Sequence, residues 1–155
     1  MLYERILVPF DGSKFAKKAL DEAIKIAQNT DSVLYLCTVV TVSNVIPPGS
    51  LLGFVKDTSA SELRSRLIKS VKAEAEKTLN YQAFVYCKSK GVKANYKIIV
   101  NGNIAEEILK TAKQKLINLI VIGSQGLHGI SRIKTLGSVS RKVSELADCT
   151  VLIVR

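Results

Sequence analysis

The sequence predicts an α/β fold built on an open five-stranded parallel sheet with helices on both faces. Three observations carry that expectation. Four short runs, at residues 6–8, 33–40, 119–122 and 150–154, are almost continuously apolar and do not alternate, as strands buried on both faces do. Between them lie stretches whose apolar residues recur at helical spacing. The resulting order, β-α-β-α-β-α-β-α-β, is that of strands joined by helical crossovers. With 155 residues and 47% hydrophobic content, the chain has the size of a single domain, residues 1–155.

The elements follow in order. Ile6-Leu7-Val8 reads as a buried strand. Residues 14–27 place Ala16, Leu20, Ala23, Ile24 and Ala27 on one helix face. Residues 33–40 give the second strand. Residues 41–58, with Pro47-Pro48-Gly49, are too broken for regular structure and read as a long loop or lid. Ser59-Ala60-Ser61-Glu62 offers a capping box for a long helix with the stripe Leu63, Leu67, Val71, Ala75 and Leu79, ending near Gly91. Residues 94–100 alternate like a strand, and Lys97 on one face places it near a sheet edge. Asn103 caps the next helix, to about Lys115. Residues 119–122 and 150–154 are the last two strands, separated by a helix from Ser138 to about Ala147.

Composition narrows the function. No apolar stretch reaches the roughly 20 residues of a membrane span, and residues 1–11 lack the apolar centre of a secretory peptide, so no membrane role and a cytoplasmic location are expected. Cys37, Cys87 and Cys149 are odd in number and widely spaced, which fits reduced buried thiols and neither a disulfide framework nor a zinc site. His128 is the one histidine, so a metal centre is not expected. The net charge of +10 suits an anionic ligand, a nucleic acid or an acidic partner. Its lysines and arginines are mostly interleaved with acids on helical segments, and no basic block is interleaved with aromatics, which disfavours nucleic acid.

In open parallel sheets, ligands bind beyond the carboxyl ends of strands where the strand order reverses. Two predicted strand ends carry suitable chemistry. The fourth runs into Gly123-Ser124-Gln125-Gly126, and Gly137-Ser138 follows before the last helix. Glycines here either make tight turns or let the backbone approach phosphates, by close contact and by positive φ, beside the free N–H groups of a helix start. The first strand ends in Pro9-Phe10-Asp11-Gly12-Ser13. The Asp11 carboxylate suits a ribose hydroxyl or an adenine amino group, and equally an Asx turn. The P-loop and dinucleotide glycine patterns are both absent after the first strand. Ser13 and Ser124 fit caps or turns better than nucleophiles, Cys149 a buried apolar role, and His128 a loop surface. Arg132 and Lys134 are weak candidates for phosphate contact.

Taken together, these landmarks resemble the universal stress protein family along the whole chain. Residues 6–13 are similar to the family's opening, residues 102–108 to its third strand-to-helix junction, and residues 119–124 to its fourth strand. Gly137-Ser138-Val139-Ser140 and residues 149–154 resemble its last helix and strand. The resemblance implies a Rossmann-like fold of the adenine-nucleotide-binding type. It implies that Gly123, Gly126, Gly137, Ser138 and Val139 hold ribose and phosphates. Pro9, Phe10 and Asp11 would approach ribose and adenine, and Val39 would present its backbone to the base. The ligand implied is ATP or a related adenine nucleotide, with or without Mg or Mn. A homodimer through the last strand and a protein partner yet to be identified are implied as well. Ten residues separate Gly126 from Gly137, one more than the binding motif of the family. A nucleotide-free dimeric scaffold of the same fold is therefore the alternative expectation. Efficient catalysis is not expected, since no nucleophile or base is evident beside the cradle; slow ATP hydrolysis stays open.

Overall fold

A computed structural model describes residues 2–41, 59–127 and 135–155. The loop expected at 41–58, apart from Thr41, lies outside the described residues, as do His128, Arg132 and Lys134. Strand β1 (Arg5–Pro9) leads through an Asp-Gly turn to α1 (Lys14–Thr30). Ser13 caps α1, its hydroxyl oxygen accepting the Ala16 N–H at 3.1 Å. The buried face of α1 is small side chains, Ala16, Ala19, Ala23 and Ala27, with Leu20 and Ile24, so the helix lies close on the sheet. β2 (Val33–Val40) follows, and α2 (Ala60–Asn80) starts at Ser59, whose oxygen accepts the Glu62 N–H at 3.3 Å.

The expected single long helix is in fact two kinds of helix. After Asn80 the backbone widens into a π-helix, Tyr81–Cys87, before the left-handed turn at Gly91 (φ 74°). The reason lies in the spacing of the apolar stripe, which is half-buried up to Ala75 and buried from Leu79. Leu63, Leu67, Val71, Ala75 and Leu79 continue to Ala83 and Cys87 in steps of four. An α-helix turns every 3.6 residues, so such a stripe drifts by about 40° per step. The i→i+5 pattern of a π-helix puts more residues in each turn and brings Ala83 and Cys87 back beneath Leu79. Those three are buried to 1% exposure or less.

β3 (Ala94–Val100), α3 (Ile104–Gln114), β4 (Leu119–Gly123), α4 (Ser138–Leu146) and β5 (Thr150–Val154) complete the order. Asn103 caps α3 by accepting the Glu106 N–H at 3.2 Å. The five strands lie in the order β3-β2-β1-β4-β5, every neighbouring pair parallel. β3 is thus an edge, as Lys97 foretold, and β5 is the other. Alternate strand residues feed two cores. Ile6, Val8, Leu34, Leu36, Leu119 and Val121 pack under α1 and the π-helix. Leu7, Cys37, Ile120 and Ile122 pack against Ile108 and Ala112 of α3 and Val143 of α4.

The strand order reverses between β1 and β4. β1 pairs with β2 over five positions, from Arg5↔Val33 to Pro9↔Cys37, but with β4 only at Ile6↔Leu119 and Leu7↔Ile120. Pro9 helps to explain the parting. The Phe10 N–H is donated to the Cys37 carbonyl of β2 at 2.8 Å, so by alternation the Pro9 nitrogen faces β4, and proline has no hydrogen to give there. The sheet opens into a crevice at its switch point.

Candidate functional site

Beyond the carboxyl ends of β1 and β4, Asp11 ties the crevice together. Its Oδ1 accepts the Ser13 N–H at 2.9 Å, which is the expected Asx turn, and its Oδ2 accepts the Leu127 N–H at 3.2 Å. Gly126 is what permits the second bond: a Cβ there would sit 2.9 Å from Oδ2. Asp11 and the glycine loop, 115 positions apart in the chain, are therefore neighbours in space. Each carboxylate oxygen has a second lone pair, so both bonds can persist while the group accepts from a ligand hydroxyl.

The far end of the loop is clasped to its near end. The Ser124 carbonyl accepts the Gly137 N–H at 2.8 Å and lies 2.9 Å from the Ser140 hydroxyl, which is buried. The Gln125 side-chain amide donates to the Thr135 carbonyl at 3.1 Å. The two ends of the ten-residue spacer are thus joined by one main-chain bond and two side-chain bonds to main-chain carbonyls. Gly137 is the N-cap of α4, and the first intrahelical bond is Arg141 N–H to the Gly137 carbonyl. The N–H groups of Ser138, Val139 and Ser140 precede that first bond, so they are the helix-start donors with no partner among the described residues, and the positive end of the helix dipole lies behind them. Ser138 is exposed there, and Val139 packs partly against the core under α3 and α4.

The remaining expected residues divide. Pro9 closes β1, and Val39 lies two positions beyond the Pro9↔Cys37 pair on the adjoining strand. Phe10 is 3% exposed and belongs to the core under α1; its carbonyl accepts the Thr38 hydroxyl. Its ring therefore faces away from the crevice. Gly123 turns toward α1, where a Cβ would come 2.8 Å from the Phe15 carbonyl carbon and Cβ. The expected positive φ occurs at none of the three loop glycines; the left-handed glycine at this site is Gly12, at φ 80°. Close contact, and not backbone twist, requires Gly123 and Gly126. Sequence reasoning missed Gly12 and Ser140 as parts of the site. The Asp-Gly pair signalled the first, whereas a serine hydroxyl turned inward has no local signature.

Among the described residues, the crevice offers backbone N–H donors, a helix N-terminus and the Asp11 carboxylate as acceptor. Among the described residues no cluster of three or more His, Cys, Asp or Glu side chains could hold a metal ion. Burial pushes the Cys37 and Cys87 thiols up to about 11, with the Thr111 side chain opposing the rise at Cys37, so both are protonated at neutral pH. No described helix is long and apolar enough to cross a membrane.

Residues 2–155 match the universal stress protein family. The chain is 40% identical over 156 aligned residues to universal stress protein YxiE of Bacillus subtilis (strain 168), covering 99% of this chain and all of that protein. Among solved structures, the universal stress protein UspA from Lactobacillus plantarum superposes with a TM-score of 0.82 at 28% identity, covering 100% of this chain and 99% of that one. The universal stress protein from Archaeoglobus fulgidus in complex with dAMP gives a TM-score of 0.64 at 22% identity, covering both chains fully.

Proposed function

The chain belongs to the universal stress protein family, and on that footing we propose that this stress-response protein binds an adenine nucleotide, ATP first among them, in the crevice between β1 and β4. The observation that carries the reading is the clasp at Ser124. It sets Gly126 beside the open N-terminus of α4, with the Asp11 carboxylate across from both. Phosphates lie along the backbone of Gly126, Gly137, Ser138 and Val139, where helix-start donors and dipole favour negative charge. The ribose donates to Asp11, and the base lies against Pro9 and the backbone of Val39. Gly123 and Phe10 act from behind, fixing the ends of β4 and β1. A Mg or Mn ion enters with the nucleotide, carried on its phosphates. The dAMP complex supports the reading to the extent that a protein of this fold holds an adenine nucleotide.

β5 is a sheet edge and Leu152 on it is 38% exposed. Pairing of β5 with its twin in a homodimer covers that edge, and binding in the crevice acts on a partner protein through the dimer. The alternative, a nucleotide-free scaffold, rests on the ten-residue spacer. Against it, the spacer is closed at its base by bonds that one added residue leaves intact, and a surface loop absorbs such a residue at little entropic cost.

Thermal unfolding tests the proposal. A ligand bound only by the folded state adds RT ln(1 + [L]/Kd), about 2.7 kcal/mol at a hundredfold excess, which at roughly 2–4 °C per kcal/mol is a rise of about 5–11 °C in Tm with Mg-ATP. Gly126→Val, which drives a side chain into Asp11, should fold and lose the rise. An unmutated protein whose Tm is unmoved by millimolar Mg-ATP would refute the reading.

A further inference from the structure

The π-helix turns three large apolar side chains outward. Tyr81, Phe84 and Val85 are 55%, 51% and 53% exposed, although they lie within five residues of one another. The fold does not need them there, for its inward stripe is Leu79, Ala83 and Cys87. Phe84 is braced from the side, its ring meeting that of Tyr96 on β3 edge-on with centroids 5.7 Å apart. Rings held in this way lose little freedom on contact with a partner, a property of interface anchors.

The charge flanking this face is mainly basic, with Glu74 two turns before Tyr81 on the same stripe. Lys77 precedes Tyr81 by four residues and Lys88 follows Phe84 by four, so both share the outward face. Lys90 lies over the ring of Tyr86 at 5.8 Å, and the Tyr86 hydroxyl donates to the Asp21 carboxylate at 2.8 Å, so the charge there is balanced. Among the described residues, the ion pairs are formed by Lys25, Lys110, Lys113 and Lys142, and neither Lys77 nor Lys88 is among them. An apolar centre flanked mainly by lysine is the complement of an apolar centre with an acidic rim.

We propose that this face, Tyr81, Phe84 and Val85 flanked by Lys77 and Lys88, docks an acidic amphipathic segment of another protein. A second copy of this chain would bring Lys77 and Lys88 against lysines of the same charge. Single-stranded nucleic acid needs a groove lined with stacking rings, whereas this face has an aliphatic Val85 among its anchors. Membrane insertion needs a long apolar helix face, and here one wide turn carries it. The face contacts Tyr96 in the first half of β3, while the crevice opens beyond the last residues of β1 and β4, so the two surfaces are separate.

The test uses a fluorescein-labelled synthetic helical peptide with Leu and Phe on one face and Glu on the other, titrated with the full chain and read by anisotropy. Saturable binding is expected. It should weaken by about tenfold or more in Tyr81→Ser/Phe84→Ser/Val85→Ser and in Lys77→Glu/Lys88→Glu, and for a peptide carrying Lys in place of Glu. The lysine pair leaves every apolar contact in place and so keeps the test valid if the triple variant fails to fold. Failure of the Glu peptide to bind, equal binding of the Lys peptide or indifference to the lysine substitutions would overturn the proposal. So would tighter binding of an oligo-dT strand or a phosphatidylglycerol vesicle that the same substitutions abolish.

Discussion

Replacing Gly123 by alanine separates packing from ligand contact in the glycine loop. The added methyl would stand 2.8 Å from the Phe15 carbonyl carbon and Cβ and 3.0 Å from the Phe15 oxygen. Carbon atoms rest at about 3.5–4.0 Å, so β4 and the first turn of α1 must part by roughly 0.7 Å or more. Neither yields readily: β4 is buried along its whole length, and α1 is pinned by its Ser13 cap and alanine face. Overpacking of this kind costs about 1–3 kcal/mol, offset by about 0.4–1 kcal/mol from the stiffer unfolded chain. A net loss of roughly 1–2 kcal/mol lowers Tm by about 2–8 °C in a chain of this size. Gly137→Ala is the control. Its nearest neighbour would be the Ser124 oxygen at 3.4 Å, and its φ of −64° suits alanine, so Tm should stay within about 2 °C of the parent. Both are read by circular dichroism on heating without nucleotide. A Gly123→Ala protein as stable as the Gly137→Ala protein would refute the contact argument, and one that kept its Tm but lost its response to ATP would return Gly123 to the ligand.

Two further outcomes follow from the same geometry. Because burial raises Cys37 and Cys87 from 9.0 to about 11, the unfolded chain releases those protons first; stability present below pH 9 should fall between about pH 9 and 11, and Cys37→Ala/Cys87→Ala should show a shallower decline of Tm across that range. An equal slope in parent and variant would contradict it. For the dimer, the Ser124 N–H bonds the Val154 carbonyl, so Val154 and Leu152 direct their backbone groups to β4 and Ile153 directs its N–H to the open edge. Ile153→Pro should therefore convert a dimer to a monomer in sedimentation while the chain stays folded, and a parent that sediments as a monomer at micromolar concentration would remove the dimer.

Much of this was legible because burial leaves a plain record in sequence. β1, β2 and β4 are apolar without alternation because helices cover both faces, and Ser59 and Asn103 announce helix starts by chemistry that acts within three residues. Asp11 and Gly126 could be named as site residues, yet their contact with each other is a matter of strand order, which no local pattern states. Phe10 shows a signal passed over: it shares parity with Ile6 and Val8, so the period of a strand already placed its ring in the core under α1. The four-residue stripe from Leu63 to Cys87 likewise carried the π-helix, hidden because four lies so near 3.6. Gly123 was legible as a residue but not as a reason, since the backbone of Phe15 that excludes a side chain there lies more than a hundred positions away.

The two-position seam between β1 and β4 also divides the chain by its time of synthesis. Residues 5–100 supply three paired strands on one side, and residues 119–154 supply two on the other. A nascent chain can pair β1, β2 and β3 as they leave the ribosome, since strands adjacent in sequence are adjacent in the sheet. The crevice has one wall until β4 arrives, and it is not closed until the Ser124 carbonyl meets the Gly137 N–H. A small molecule bound there could not guide the pairing of the first three strands; its binding would mark that the last quarter of the protein had been made and seated.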